Sequence, residues 1–189
     1  MKSLSYYLSP SFDTIHLLYE GIMSVSTNEK DKKEFTLKYN KVKQLAKGAP
    51  APKFNYTNHG GGTSMEDLKD SYAYLDIWAT WCGPCIGEIA YLKDLEEKYR
   101  KFNIHFVSIS IAPIDDLSKW RNFVNKKNLR GIQLYADGDW KSSIITDYAI
   151  EGIPRFVLID TDGNIVSADV MRSSNPKLIT LLDEFIQSD

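Results

Sequence analysis

Cys82 and Cys85 are the only cysteines in the 189-residue chain, and they share one motif, Trp81-Cys82-Gly83-Pro84-Cys85. A strand-like run, Tyr72 to Ala79, leads into the motif, and a helical pattern from Pro84 to about Phe102 leads out of it. A Cys-x-x-Cys at such a junction has the pattern of a thiol–disulfide redox site. The first amides of a helix have no intrahelical acceptor and the dipole there is positive, so a thiolate at Cys82 would be stabilised. Pro84 suits the first turn, where no N–H is needed. Cys85 falls one turn along, within reach of Cys82, so the pair can close a small ring. In exchange chemistry Cys82 would attack, or be attacked at, a partner disulfide, and Cys85 would resolve the mixed disulfide. A zinc site normally needs four ligands; His16, His59 and His105 are the only histidines and none stands at metal spacing, so no metal is expected.

The elements that must position this motif follow from periodicity. Tyr72 to Ala79 and Ile104 to Ile111 are apolar runs suited to strands covered on both faces. Between them lies the active-site helix. Asp115 to Asn125 reads as a helix with Leu117, Trp120 and Val124 inward, and Ile132 to Tyr135 as a short strand. Asp139 to Tyr148 is predicted helical, with Trp140, Ile144 and Tyr148 at inward spacing. Arg155 to Asp160 and Ile165 to Asp169 are strands joined by the hairpin signal Asp160-Thr161-Asp162-Gly163-Asn164. Asn175-Pro176 opens a last helix with Leu178, Leu181, Leu182 and Phe185 inward. The result is an α/β fold, a mixed sheet between helices.

Upstream, residues 1–47 are predicted to form a helical extension and residues 48–189 a domain. Ser9-Pro10 is a helix start, followed by Ile15, Leu18, Tyr19, Ile22 and Met23 at helical spacing. Phe35, Tyr39, Val42 and Leu45 mark a second helix, ended by Gly48, Pro50 and Pro52. Both apolar faces are expected to pack on the neighbouring domain. Phe54 to Thr57 reads as a short strand, Gly60-Gly61-Gly62 as a loose turn, and Ser64 to Leu68 as a helical turn capped by Ser64.

Composition narrows the function. Hydrophobic residues make up 43% and charged residues 25%, as in ordinary globular domains, and net charge is −2 with no long basic run, so nucleic-acid binding has no footprint. No apolar run approaches the ~20 residues of a membrane span, and Met1 to Tyr7 lacks the apolar core of a signal peptide. Either a cytoplasmic protein or a chain beginning after a removed leader would read this way.

Trp78-Ala79-Thr80-Trp81-Cys82-Gly83-Pro84-Cys85 resembles the active site of thioredoxin-fold oxidoreductases, most of all the TlpA/ResA-like branch, including forms common in Bacteroidota. The resemblance spans about residues 48 to 187. It includes Gly48-Ala49-Pro50-Ala51-Pro52-Lys53-Phe54, which follows a G-x-x-A-P-x-F pattern, and Gly152-Ile153-Pro154. It implies a thioredoxin-like fold and a dithiol that carries its two electrons without a bound cofactor. It implies a disulfide-bearing client protein, a separate thiol electron donor and a site outside the cytoplasmic membrane. In such proteins a segment like 1–47 often follows another N-terminal domain, so the chain would be a piece of something longer. The Gly-Pro dipeptide is the thioredoxin type, which leans towards a reductant.

The resemblance also assigns residues. Asp76, six positions before Cys82, matches the buried Asp of thioredoxins and would accept the Cys85 proton; burial would raise its pKa into a useful range. Glu88, three residues after Cys85 and on the same helix face, matches a family Glu that tunes the site or recognises substrate; a solvated helix residue is the plain alternative. Pro154 would be cis beside the cysteines, with Ile153 exposing backbone groups for a client strand. Trp81 would form an apolar lip beside Gly83 and Pro84, with Trp78 packed beneath. Arg155 stands where the family often has Thr, either favouring the Cys82 thiolate or pointing to solvent. Two rival functions remain. A thiol peroxidase of the same fold lacks its P-x-x-x-T-x-x-C motif here, with Leu75 and Ala79 at the Pro and Thr positions. A non-catalytic interaction module would not need both thiols.

Overall fold

The computed structural model describes residues 12–58, 61–136 and 138–186. Ser9 and Pro10, expected to open the first helix, and His59 and Gly60 lie outside these. Helices α1 (Phe12–Val25) and α2 (Glu29–Gln44) precede strands β1 (Asn55–Asn58) and β2 (Gly61–Ser64). Then come β3 (Tyr72–Trp78), α3 (Gly83–Lys98), β4 (Ile104–Ile111), α4 (Leu117–Lys127), β5 (Ile132–Ala136) and α5 (Ser143–Asp147). The chain closes with β6 (Arg155–Ile159), β7 (Ile165–Ser167) and α6 (Lys177–Ile186). The seven strands form one mixed sheet in the order β2-β1-β5-β4-β3-β6-β7. β3, β4 and β5 are parallel; β6 runs antiparallel to β3.

Every residue of β3 is buried, as its unbroken apolar run requires at the centre of a covered sheet. Alternate residues feed two cores. Leu75, Ile77, Val107, Ile109 and Leu134 join Phe54, Ile144 and Tyr148 in one cluster. Tyr74, Phe106, Phe156 and Leu158 join Leu92 and Leu95 of α3, Tyr99 at its C-terminal cap, and Leu178 and Leu182 of α6 in the other. The β3–α3–β4 and β4–α4–β5 crossovers run in the same direction across the sheet. Right-handed connections therefore place α3 and α4 side by side on one face. Ring contacts of Trp78 with Phe123 and of Trp120 with Tyr135 hold α4 there.

Four expectations need correction. The segment after Gly60 is not a loose turn: Gly61–Ser64 is strand β2, antiparallel to β1. The active-site helix stops at Lys98, capped by Tyr99, rather than near Phe102. Asp139–Lys141 is a separate 3-10 turn before α5, and Trp140 is exposed rather than inward. Leu18 of α1 is exposed as well. α1 meets α2 through stacked Tyr19 and Tyr39 rings, 4.0 Å between centroids, and a 2.7 Å hydrogen bond between His16 Nδ1 and the Tyr39 hydroxyl. Of this hairpin's expected inward residues Tyr39 and Leu45 alone are buried. Residues Gly48 to Ala51 lie along β7: the Gly48 N–H donates to the Ile165 carbonyl (2.7 Å), and the Ile165 N–H to the Ala49 carbonyl (2.8 Å). That cover removes an open sheet edge.

Candidate active site

The site sits where β3 hands over to α3. Cys82 is the N-cap of α3 in an extended conformation, and its sulfur accepts the Cys85 N–H at 3.2 Å. A helix start leaves that amide without a carbonyl partner, so the cysteine sulfur takes the capping place. Gly83 and Pro84 open the first turn and are exposed. Cys82 and Cys85 form a disulfide, and both are buried. The loop before β6 closes the site from the other side. Its Ile153–Pro154 peptide is cis, and the Ile153 carbonyl oxygen lies 3.9 Å from the Cys82 sulfur. Trp81 is 49% exposed, and Trp78 is buried under α4.

Trp140 was not anticipated here. Its ring lies 6.4 Å from that of Trp81, and both are exposed, making a two-ring apolar rim. Arg155 does not point freely to solvent or to the sulfurs; its guanidinium pairs with Asp169.

Two carboxylates of the β3–α3 unit, Asp76 and Glu88, are buried. Asp76 projects from β3. Burial, with the Glu88 charge second, pushes its carboxyl up to about 8, while a hydrogen bond from Ser108 pulls the other way. Its Oδ1 has no protein hydrogen-bond partner. Glu88 is not a solvated helix residue. It accepts hydrogen bonds from the Ser173 hydroxyl (3.0 Å), the Ser174 N–H (2.8 Å) and the Ser174 hydroxyl (2.9 Å). Glu88 thus ties α3 to the loop before α6. Ser173 and Ser174 carry no motif that marks them in advance.

The sheet register adds a feature that spacing along the chain does not reveal. Asp76 pairs with Ser108, and Ser108 with Gln133, across β3, β4 and β5. All three are buried. They face a small cavity between α3 and the segment leading into β5, lined also by Glu96, Lys93 and Arg130, with room for about one water molecule.

Fold and site define a thioredoxin-fold protein built around a vicinal pair of redox cysteines. Comparison with known proteins places it further. Residues 46–182 match the Redoxin family. The thiol-disulfide oxidoreductase ResA of Bacillus thuringiensis is 30% identical over 132 residues, 69% of this chain and 73% of the relative. A crystal structure of a candidate thiol-disulfide oxidoreductase from Bacteroides vulgatus superposes with a TM-score of 0.68 at 33% identity, covering 76% of this chain and 99% of that one. A solution structure of a candidate thiol-disulfide oxidoreductase from the same organism is 46% identical, with a TM-score of 0.64 and coverage of 74% and 91%. The chain belongs to the Redoxin family, in its TlpA/ResA-like branch, and is a thiol–disulfide oxidoreductase. No helix among the described residues is long and apolar enough to cross a membrane.

Proposed function

We propose that the protein reduces disulfides in client proteins outside the cytoplasmic membrane, fed by a separate thiol donor and using no bound cofactor. The observation that carries this reading is the Cys82–Cys85 pair at the start of α3, with the Cys82 sulfur facing the Ile153 carbonyl. The Cys82 thiolate, favoured by the helix start, attacks one sulfur of a client disulfide, and the other leaves as a thiolate. Cys85 then gives its proton to Asp76 and attacks the Cys82 sulfur. The mixed disulfide breaks, the second client sulfur leaves with its electron pair, and two electrons have passed from the dithiol to the client. Ile153 offers its backbone to the client chain beside Pro154, and Trp81 with the exposed Gly83 and Pro84 forms the surface on which the client rests. Glu88 acts by position: through Ser173 and Ser174 it holds α3 in place, and its charge raises the proton affinity of Asp76. Residues 48–189 form the oxidoreductase domain and residues 1–47 an extension to it. The extracytoplasmic setting rests on the branch to which the chain belongs.

The test is insulin reduction by dithiothreitol with catalytic amounts of the protein, alongside the midpoint potential of the cysteine pair. The wild type accelerates precipitation and Cys82→Ser abolishes the acceleration. A potential near that of thioredoxin, about −270 mV, supports a reductant; one near that of DsbA, about −120 mV, reverses the direction. No acceleration, or efficient turnover of peroxide instead, overturns the reading.

A further inference from the structure

Glu96 lies eleven residues beyond Cys85 on α3, and Ile89 and Leu92 continue the same stripe between them. This stripe faces the cavity between α3 and the segment leading into β5, where Asp76 lies on the floor with Ser108 and Gln133, and Lys93, Leu129 and Arg130 complete the wall. Three oxygens around this space have no protein hydrogen-bond partner: Asp76 Oδ1, Glu96 Oε2 and Gln133 Oε1. Buried oxygens of this kind are normally satisfied, and a cavity of this size with three such oxygens around it suits one bridging water. Asp76 is almost fully enclosed, whereas Glu96 is part-exposed at the outer end. Gly131 makes room for it. A Cβ at that position would come within 2.8 Å of Glu96 Oε1 and of the Phe106 carbonyl oxygen, and the backbone there has φ +67°. Glycine is thus needed for the Glu96 carboxyl to lie against the start of β5.

We propose that Glu96 is the outer station of a proton path, exchanging protons between Asp76 and solvent through the cavity between α3 and the segment leading into β5. This rests on the oxidoreductase reading above, in which Asp76 takes the Cys85 proton. Each resolving step leaves one proton on Asp76, and the enclosed carboxyl has no direct exit. The proton passes through the bridging water to the Glu96 carboxylate and from there to bulk water; no electrons move, and Asp76 is returned to its ionised form. Burial holds Glu96 at about 7 against the opposing pull of Arg130 and Lys93, and Asp76 at about 8. About one pH unit between them makes transfer uphill by no more than about tenfold. The charged groups facing the path are Lys93 and Glu88 from α3, Asp76 from β3 and Arg130 from the segment before β5, the last also paired with Glu97 on its outer side.

The test uses the full chain with Glu96→Gln, which keeps shape and removes the proton site, and Gln133→Leu, which fills the polar gap with an apolar group. Pre-reduced protein is mixed with a client disulfide, and the resolving step is followed from pH 5 to 9 in ordinary and heavy water. The Asp76 midpoint is read by carbon NMR. Glu96→Gln is expected to slow resolution about tenfold near pH 7. It should also lower the Asp76 midpoint, because a neighbouring negative charge is lost, leave the potential of the cysteine pair unchanged, and be partly rescued by Glu96→Asp. Gln133→Leu should slow resolution without moving the potential. Unchanged rate and pH profile in both variants overturn the proposal. If the wild type itself fails to reduce disulfides, the oxidoreductase reading falls. The Asp76 midpoint in Glu96→Gln then still decides the coupling: no shift sinks it, a downward shift sustains it.

Discussion

Two rows of the sheet lie one residue apart and on opposite faces. Val157, Leu75, Val107 and Ile132 form one; Phe156, Asp76, Ser108 and Gln133 form the other. The strands and ladder are the same, and the central members of both rows are buried. The first row holds only hydrocarbon, and packing satisfies it completely. The second places a carboxyl, a hydroxyl and an amide against a small cavity beneath α3 and the segment leading into β5. A carboxyl in such a place is stable when neutral, so burial that costs nothing in the first row becomes a pKa shift in the second. The sheet thus holds a rigid apolar row on one face and a titratable row on the other.

The largest expected effect comes from emptying the apolar row. Leu75 is fully enclosed, so Leu75→Ala should cost about 2–5 kcal/mol in denaturant unfolding. The cysteine potential and the Asp76 midpoint should stay where they are. A midpoint that moves with this change would mean that the two faces are not independent, and the comparison would break.

Next comes the polar row itself. The folded Asp76 value of about 8 stands above the ordinary carboxyl value of 3.8, so between these pH values the native state holds a proton that the unfolded chain releases. Stability from this group is therefore full below about pH 4 and declines as pH rises towards about 8. Glu96, raised to about 7, adds to the same decline. Asp76→Asn should flatten most of the slope and stabilise the oxidised protein by on the order of 2–3 kcal/mol at pH 8, while slowing disulfide turnover. Melting curves across pH 4 to 9 check this; a wild-type stability that rises over the range would refute it.

The first row was legible in advance and the second was not, for a physical reason. Apolar runs such as Tyr72–Trp78 and Ile104–Ile111 announce buried strands by composition, and the Cys-x-x-Cys motif announces the helix start that it caps. Asp76, Glu88 and Pro154 were singled out through the family resemblance, and of the expectations attached to them the structure shows the burial of both carboxylates and the cis peptide before Pro154. Ser108 and Gln133 join Asp76 only through inter-strand register, which no local spacing encodes. β2 escaped notice because Gly61 and Gly62 carry no side chains to show alternation. Trp140 was misplaced by counting 3.6 residues per turn across Asp139–Lys141, where the chain turns with three and then restarts at Ser142. Leu18 fell in an apolar stripe, but α1 meets α2 mainly through the Tyr19 ring, so part of the stripe stays wet.

The smallest expected effect is also the sharpest probe of the polar row. Ser108 hydrogen-bonds the Asp76 carboxyl and holds its pKa below the value that burial and Glu88 alone would impose. Ser108→Ala removes that bond and leaves the shape of β4 nearly untouched. Asp76 should then titrate above its present value of about 8, and stability near neutrality should change by only about 1 kcal/mol. The equivalent shaving in the apolar row, Val107→Ala, should leave the Asp76 titration alone. NMR titration of both variants separates the outcomes. If Val107→Ala moves the midpoint as far as Ser108→Ala does, the shift reflects general loosening of β4 rather than a hydroxyl acting on a carboxyl. If Ser108→Ala alone moves it, the Asp76 titration is set by its own row, independently of the packing that supports it from the other face.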